Sequence, residues 1–241
     1  MALPRITLPI TRPITLQGDH VRLEPLSAAH APALARAVQD GDLWQLWYTA
    51  IPPPEHMAAE IERRLGLLAA GSMLPWAVLD SSGRPVGMTT FMNIDASHQR
   101  VEIGSTWYAR SVQRTALNTE AKRLLLGHAF DALGCIAVEF RTHRFNTASR
   151  RAIERLGAQL DGVLRAHQRA GNGTLRDTAV YSITADEWPS VRTHLDFQLT
   201  RSLYAKPEAV KPEAVKPEAV KPEAVPPEAV PPEVRPETSH G

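Results

Sequence analysis

The chain has 241 residues, of which 43% are hydrophobic, and its 27 Lys and Arg nearly balance its 26 Asp and Glu, for a formal net charge of +1. So small a charge argues against a protein held to nucleic acid mainly through phosphates. The single cysteine excludes a disulfide framework and fits a reducing compartment. No apolar run approaches the roughly 20 residues of a membrane span. Composition therefore predicts a cytoplasmic protein with no membrane or nucleic-acid partner.

Changes in composition divide the chain into three parts. Residues 1–13 contain three prolines and no apolar signal-peptide core, and we interpret them as an N-terminal extension. Residues 206–241 repeat the unit Lys-Pro-Glu-Ala-Val, hold nine of the 20 prolines and contain no aromatic residue. Such a proline-rich repeat cannot form a helix or a core, so we expect a disordered, extended tail, either without a partner or docking to an unknown one. Residues 14–205 then form one domain.

Within residues 14–205 the hydrophobic period changes repeatedly between that of a strand and that of a helix. The predicted strands are 21–24, 76–79, 86–94, 101–108, 137–142, 162–167 and 178–183. The predicted helices are 31–38 with Ser27 as its cap, 57–68, about 117–132 before Gly134, about 149–156 before Gly157, and 185–199. The order β-α-α-β-β-β-α-β-α-β-β-α predicts an α/β protein with a mixed sheet rather than a doubly wound parallel one.

Several common catalytic motifs are missing from the sequence. It contains neither a phosphate-binding Gly-x-x-x-x-Gly-Lys-Ser/Thr loop nor a Gly-x-Ser-x-Gly nucleophile elbow, and it lacks the three-glycine dinucleotide fingerprint. No two histidines stand three or four residues apart, so a helical zinc pair is missing and no metal is expected.

One connection is suited to holding a phosphate. The segment 113–119, Gln-Arg-Thr-Ala-Leu-Asn-Thr, joins the strand at 101–108 to the following helix. A helix N-terminus presents unpaired backbone N–H groups and the positive end of the helix dipole. The small residues Thr115 and Ala116 would let a ligand approach the backbone, although an ordinary strand-to-helix connection explains the same residues.

Three blocks of sequence, in order, resemble the GNAT superfamily of N-acetyltransferases. The first is the segment 113–119, with Glu102-Ile103-Gly104 before it and Glu120-Ala121 after it. The second is Asn146-x-x-Ser149 followed by residues 152–158, and the third combines residues 162–165 with 176–183. The similarity covers residues 16–201 and is greatest to the RimJ/RimL-like branch, whose members acetylate protein N-termini among other amines.

This resemblance implies a mixed sheet with a splayed central strand pair, helices on both faces, and acetyl-CoA as co-substrate in the resulting cleft. The backbone of Thr106, Trp107 and Tyr108 would pair with the pantetheine amides. The other residues expected to contact the cofactor are Gln113, Arg114, Thr115, Ala116, Leu117, Asn118, Thr119, Asn146 and Ser149.

The sequence also departs from the family pattern. Ala116 and Asn118 occupy two positions of the phosphate loop where relatives usually carry glycine or alanine. Ile153 stands where many relatives have a tyrosine that protonates the departing thiolate. Ser149 is the nearest replacement, although a hydroxyl of high pKa is a weak acid.

Acetyl transfer needs a deprotonated amine, a polarised thioester carbonyl and a proton for the leaving thiolate. Glu102, on the splayed strand, is the predicted base, acting through water, and a solvated or ion-paired glutamate is the alternative. The Trp107 backbone N–H would polarise the carbonyl. Cys135 stands at the entry to an apolar strand and is predicted to belong to the core, which favours direct transfer in a ternary complex over a cysteine intermediate.

The sequence thus predicts an acetyl-CoA-dependent N-acetyltransferase acting on a primary amine, either a protein N-terminus or a small molecule. The alternative is a non-catalytic CoA-binding or interaction protein on the same scaffold, which the altered loop and the long tail would suit. Trp44, Trp47 and Tyr48 follow the first helix and either line an acceptor pocket or pack in the core. We expect a monomer or a homodimer.

Overall fold

The computed structural model describes residues 10–204, and within this range the chain forms eight strands and five α-helices. The strands are β1 (Leu16–Gln17), β2 (Val21–Pro25), β3 (Leu74–Asp80), β4 (Pro85–Asp95), β5 (Arg100–Tyr108), β6 (Ala137–His143), β7 (Gln159–Arg169) and β8 (Leu175–Thr184). The helices are α1 (Ala31–Gln39), α2 (Met57–Ala69), α3 (Ala116–Gly127), α4 (Thr147–Glu154) and α5 (Trp188–Tyr204). None of the helices in this part of the chain combines the length and the apolar character needed to cross a membrane.

The predicted repeat tail at 206–241 lies outside the described residues, as do residues 1–9 of the predicted N-terminal extension. The three-part division of the chain therefore stays a prediction. Ile10, within that predicted extension, is only 4% exposed and belongs to the main hydrophobic core.

All the described strands belong to one sheet in the order β1-β2-β3-β4-β5-β6-β8-β7. Neighbouring strands are antiparallel except β5 and β6, which are parallel. A connection between parallel strands must cross the sheet, and here it is made by α3. The predicted α/β fold with a mixed sheet is confirmed, with β1 as an edge strand that the sequence did not predict.

Helices cover both faces of this sheet, as the family resemblance implied. On one face α1 and α2 pack over β3, β4 and β5, where the buried residues are Leu26, Leu34, Val38, Met57, Ile61, Ala77, Leu79, Met88 and Trp107. On the opposite face α3 and α5 pack over a larger core that extends from Val21 and Leu23 of β2 to Tyr181 and Ile183 of β8. We call these the α1/α2 face and the α3/α5 face.

The two central strands separate along their length. β5 and β6 are joined over three residue pairs only, of which the last is Glu102 with Glu139. Beyond it, β5 stays paired with β4 as far as Tyr108, and β6 stays paired with β8 as far as His143. A V-shaped gap therefore opens between the carboxyl halves of β5 and β6, and the predicted splayed pair is confirmed.

A bulge interrupts β5 just beyond this point. Between the pairs Gly104–Thr90 and Trp107–Met88, β5 has one residue more than β4. Ser105 lies there with a φ of 46°, in the left-handed region that non-glycine residues rarely adopt. Because the extra residue shifts the alternation by one, side chains after the bulge point to the opposite face from the one their numbering would suggest.

Several helix boundaries differ from the predicted ones, since α4 begins and ends two residues earlier than predicted and α5 extends to Tyr204 rather than to residue 199. The predicted helix over residues 117–132 is α3 followed by a π-helical turn, His128–Ala132. The last helix begins at Trp188 rather than at Ala185, because the Glu187 carboxylate accepts hydrogen bonds from the backbone and hydroxyl of Thr184. These contacts hold residues 184–187 in a turn.

Candidate active site

Glu102 lies at the apex of the gap and is only 5% exposed. Its Oε2 accepts a hydrogen bond from Asn93 Nδ2 of β4 at 2.7 Å and lies 3.5 Å from Arg141 Nε of β6. Glu102 therefore lies where a base is expected. It also has the arginine neighbour that the alternative, an ion-paired glutamate, requires. Its side chain is on the α1/α2 face, opposite to Val101 and Ile103 in the α3/α5 core.

Glu102 and its register partner Glu139 have opposite pKa shifts. Burial raises the pKa of Glu102 above its usual value, and hydrogen bonding by Asn93 and the charge of Arg141 only partly offset that effect. Burial also acts on Glu139, but hydrogen bonds from Arg100 and Arg141 lower its pKa overall. A raised carboxylate pKa approaches the range in which a general base works best, so Glu102 is better suited than Glu139 to accept a proton.

The residues after the bulge line one side of the gap. Thr106 Oγ1 lies 2.8 Å from Thr89 Oγ1 of β4, on the α3/α5 face. Trp107 packs into the α1/α2 core and Tyr108 into the α3/α5 core. The β6 edge of this segment pairs with no described strand, so its backbone groups are available to an extended ligand, as the resemblance implied.

The predicted phosphate loop joins this strand to α3. Gln113 Nε2 donates to the Tyr108 carbonyl at 2.9 Å, and Arg114 has a φ of 62°. Thr115 is the N-cap of α3, and its Oγ1 accepts a hydrogen bond from the backbone N–H of Leu117. A shallow cavity of about 300 Å³ lies at this helix end, between it and the β3–β4 turn. The loop therefore has a helix N-terminus facing an open surface, which suits a phosphate.

The two loop residues that differ from the family pattern cause no backbone strain. Ala116 and Asn118 are both in α3, and neither has a positive φ. Not all of the predicted residues face the open surface, because Leu117 is buried in the core and Thr119 Oγ1 accepts a hydrogen bond from Arg155 Nη1 at 3.0 Å. Any contact of these two with a cofactor would come from their backbone only.

Asn146 and Ser149 lie on the other side of the gap, just after β6. Asn146 is the N-cap of α4, and its Oδ1 accepts a hydrogen bond from the backbone N–H of Ser149 at 3.0 Å. Ile153 is 8% exposed and belongs to the α3/α5 core. Tyr181 reaches the same helix from β8, but Arg150 and Glu154 both hydrogen-bond its hydroxyl.

The sequence left open whether the aromatic residues after α1 line an acceptor pocket or pack in the core, and they do not all behave alike. Trp44 packs against the α1/α2 core, whereas Trp47 is 50% exposed. The Trp47 ring lies 5.0 Å from that of His143 and 6.2 Å from that of Phe145, measured between centroids. Tyr48 lies 5.6 Å from Trp47, so this segment contacts the end of β6 through an aromatic cluster.

Cys135 is buried, and burial raises the pKa of its thiol to about 11. The prediction that it belongs to the core is confirmed. Among the described residues there is no group of three or more His, Cys, Asp or Glu that could hold a metal ion.

Two buried cations beside β5 were missed by the sequence analysis. Arg64 of α2 is 3% exposed and Lys122 of α3 is 6% exposed. Burial lowers the pKa of Lys122 to about 7. A signal was present in the sequence, since both interrupt apolar helix faces and Lys122 is the only lysine before Lys206.

Comparison with known proteins agrees with this geometry. Residues 20–159 match the family model described as an acetyltransferase (GNAT) domain. The chain belongs to the GNAT acetyltransferase family. It is 33% identical over 98 residues to the "Uncharacterized N-acetyltransferase YoaA" of Bacillus subtilis, a match covering 41% of this chain and 54% of YoaA. The chain thus spans about half the length of this curated relative.

Solved GNAT structures match over more of their length. A GCN5-related N-acetyltransferase from Brucella melitensis is 31% identical with a TM-score of 0.71, covering 78% of this chain and 86% of that one. Mycobacterium smegmatis RimJ in complex with CoA-disulfide is 23% identical with a TM-score of 0.67, covering 78% and 96%. At that identity RimJ supports the fold alone. The expected membership of the GNAT superfamily is confirmed by the family match, and the likeness to RimJ is one of fold.

Proposed function

We propose that this GNAT domain transfers an acetyl group from acetyl-CoA to a primary amine, with Glu102 as the general base. The observation that carries the proposal is the buried carboxylate at the apex of the gap, with a raised pKa and an unpaired strand edge immediately after it. That edge is long enough for an extended ligand to pair with it, because it runs along β5 from Gly104 to the end of the strand at Tyr108.

The chain's own residues supply most of what the reaction needs. Acetyl-CoA would bring the acetyl thioester, with its pantetheine arm along the free edge of β5 and its pyrophosphate at the N-terminus of α3. Asn146 would contact the arm from the other side of the gap. Backbone N–H groups of residues 114–119 would bind the phosphates, which fits the open surface at this end of α3.

In the proposed reaction the amine nitrogen attacks the thioester carbonyl, forming a C–N bond, and the C–S bond then breaks. Glu102 takes the proton that the amine loses, directly or through one water. A backbone N–H on the free edge of β5 would donate to the carbonyl oxygen as negative charge develops there. The expected donor, the Trp107 N–H, points to β4 instead, because strand residues alternate between the two edges and the Ala109 N–H donates to the Val86 carbonyl of β4. The departing thiolate takes a proton from water or from Ser149. Direct transfer is favoured over a cysteine intermediate, because Cys135 is buried and its thiol has a raised pKa.

The acceptor would approach from the α1/α2 face, where the Glu102 side chain lies. The buried cluster on that face includes residues of β3, β4 and β5 but none of β6, β7 or β8 among the described residues. The amine is therefore placed on this face of the sheet, with the exposed Trp47 ring as part of the wall. A protein N-terminus or a small-molecule amine fits such a site. An α-amino group needs only a modest base, because its ammonium form loses its proton with a pKa of about 8.

The test is release of CoA from acetyl-CoA in the presence of N-terminal peptides and small amines, with Glu102→Gln as the variant. We expect kcat to fall by about 10²- to 10⁴-fold with an unchanged acetyl-CoA Kd, because only proton transfer is lost. The matched control is Glu139→Gln, which removes a neighbouring carboxylate already bound by two arginines. Turnover by Glu102→Gln at the wild-type rate would refute the role of Glu102. Acetyl-CoA binding without turnover of any amine would favour the non-catalytic alternative.

A further inference from the structure

The bulge in β5 lies just after the proposed base, within the strand edge proposed to bind the cofactor. Ser105 is the residue with the left-handed φ, and Thr106 follows it. A bulge lets a strand shift its register, and a shift here would move every later residue relative to Glu102. The position of this one segment therefore decides whether the two parts of the site fit the same substrate.

One buried cation contacts the bulge from the α1/α2 face. Arg64 Nη1 and Nη2 lie 3.3 and 3.4 Å from the Ser105 carbonyl oxygen. Its Nε donates to Glu60 Oε1 at 2.7 Å, which fixes the guanidinium in place. The adjacent Arg63 also pairs with Glu60 but is exposed, and within the described part of the chain it forms no hydrogen bond with β5.

A second buried cation contacts the bulge from the α3/α5 face. Lys122 Nζ lies 3.1 Å from Thr106 Oγ1 and 3.4 Å from Thr89 Oγ1, and the two hydroxyls lie 2.8 Å from each other. The Tyr108 ring centroid lies 5.9 Å from the same Nζ. Among the described residues, no carboxylate forms an ion pair with Lys122. Its hydrogen bonds thus go to the strand pair that carries the bulge.

Burying two cations is costly, and well-packed apolar side chains at such positions are often at least as stabilising. Stability alone therefore gives little reason for Arg64 and Lys122. Both instead donate to consecutive residues of the bulge, from opposite sides of the sheet.

We propose that Arg64 and Lys122 are positioning residues, which hold Ser105 and Thr106 from opposite faces so that the free edge of β5 keeps its place relative to Glu102. This inference rests on the proposed acetyl transfer. Neither side chain is proposed to touch the reacting atoms. A displacement of about 1 Å in such a site can reduce the rate about 100-fold.

The test compares Arg64→Met and Lys122→Met with the matched control Arg63→Met in the full-length chain. We expect kcat to fall by about 10- to 100-fold in the first two, with a smaller change in KM for the amine, and to stay within about twofold in the control. Arg64→Lys should recover part of the loss. The double variant Lys122→Met/Thr106→Val should be no slower than the slower of the two single variants. Each substitution removes the same hydrogen bond, so the second adds nothing to the first.

Amide hydrogen exchange of β5 provides a readout that does not need turnover. We expect faster exchange at residues 104–108 in Arg64→Met and Lys122→Met than in wild type, and unchanged exchange at residues 101–103. If either variant fails to fold, Arg64→Lys and Thr106→Val decide the question. Wild-type kcat in folded variants, or faster exchange with unchanged kcat, would overturn the positioning role. An inactive wild type would refute the proposed function and its catalytic consequence, while the exchange data would still report whether the bulge is held.

Discussion

Lys122 is a lysine at a position where an arginine would behave differently. An arginine stays protonated in proteins, whereas a lysine amine can lose its proton when it is buried. Lys122 is 6% exposed, and its hydrogen-bond partners are the uncharged hydroxyls of Thr89 and Thr106. Its amine can therefore become neutral near physiological pH and still donate to Thr106, which avoids the full cost of an unpaired buried charge.

We expect the Lys122 amine to titrate with a pKa of about 7, because burial disfavours its charged form. NMR of the chain labelled at the lysine ε-carbons would measure this value. The other four lysines lie in the repeat at positions 206–221. Lys122→Met should remove the low signal alone, whereas a titration near 10 at that signal would contradict the prediction.

The same shift makes the folding stability depend on pH. The amine binds its proton more weakly in the folded than in the unfolded chain, so between about pH 7 and 10 the unfolded chain holds more protons and the free energy of unfolding rises with pH. The slope from this group approaches about 1.4 kcal/mol per pH unit. Urea unfolding at several pH values between about 7 and 9 should show a steeper rise in wild type and in Lys206→Met than in Lys122→Met. Equal slopes in all three would refute it.

Single residues were predictable where their chemistry and their place in a pattern agreed. Cys135 is predicted to lie in the core because it stands at the entry to an apolar strand, and it is buried. Glu102 was placed on the splayed strand by the family resemblance, and it lies at the apex of the gap. Arg64 and Lys122 were missed because a charged residue on an apolar helix face is ordinarily expected to extend to solvent.

At the scale of elements, α4 depends on one side chain that also has a proposed binding role. Asn146 caps this eight-residue helix by accepting a hydrogen bond from the Ser149 backbone. Helices this short are stabilised mainly by packing and by their caps. A loss of cofactor affinity on substituting Asn146 could therefore come from lost contact or from a frayed helix, and two substitutions separate these causes.

Asn146→Ala should destabilise the fold by about 1 kcal/mol, because the cap is lost, whereas Asn146→Asp should keep the cap. Both should weaken acetyl-CoA binding if the side-chain amide contacts the pantetheine arm. Thermal unfolding and calorimetric titration with acetyl-CoA measure the two effects. Wild-type affinity in Asn146→Asp would show that Asn146 acts through the helix alone.

The bulge in β5 shows why the order of the elements was more predictable than the directions of side chains. Val101, Ile103 and Trp107 are spaced as if they shared one face of a strand. The extra residue at Ser105 instead sends Trp107 into the core opposite to that of Val101 and Ile103. A serine at this position gives no signal of the change, and the residues that contact the bulge from α2 and α3 are distant from it in sequence.

At the scale of the whole domain, the gap divides the sheet while one core spans it. The α3/α5 core extends from β2 to β8 and so joins both halves of the sheet, whereas the α1/α2 core ends at β5. The two halves are therefore joined by one core on the α3/α5 face, whereas the α1/α2 core includes no residue of β6, β7 or β8 among the described residues. The sequence predicted the splay only through the family resemblance, because strand patterns do not report how two parallel strands separate.

Acetyl-CoA binding across this gap should stabilise the full-length protein. At about 100 times its Kd, a ligand adds ~2.7 kcal/mol to the free energy of unfolding. For a chain of this size that corresponds to a rise of roughly 5–10 °C in Tm, which thermal unfolding with and without acetyl-CoA would measure.

Thr115→Asp is the informative variant, because aspartate keeps the N-cap of α3 but places a negative charge where the pyrophosphate is expected. Its unliganded Tm should be lower than that of wild type, because aspartate cannot replace the hydrogen bond that the Thr115 hydroxyl donates to the Val112 carbonyl at 2.7 Å. Measured from each protein's own unliganded Tm, the shift with acetyl-CoA should be smaller in Thr115→Asp than in wild type and in the control Thr115→Ser. An equal shift in Thr115→Asp would place the phosphates elsewhere, and no shift in wild type would contradict cofactor binding at this site.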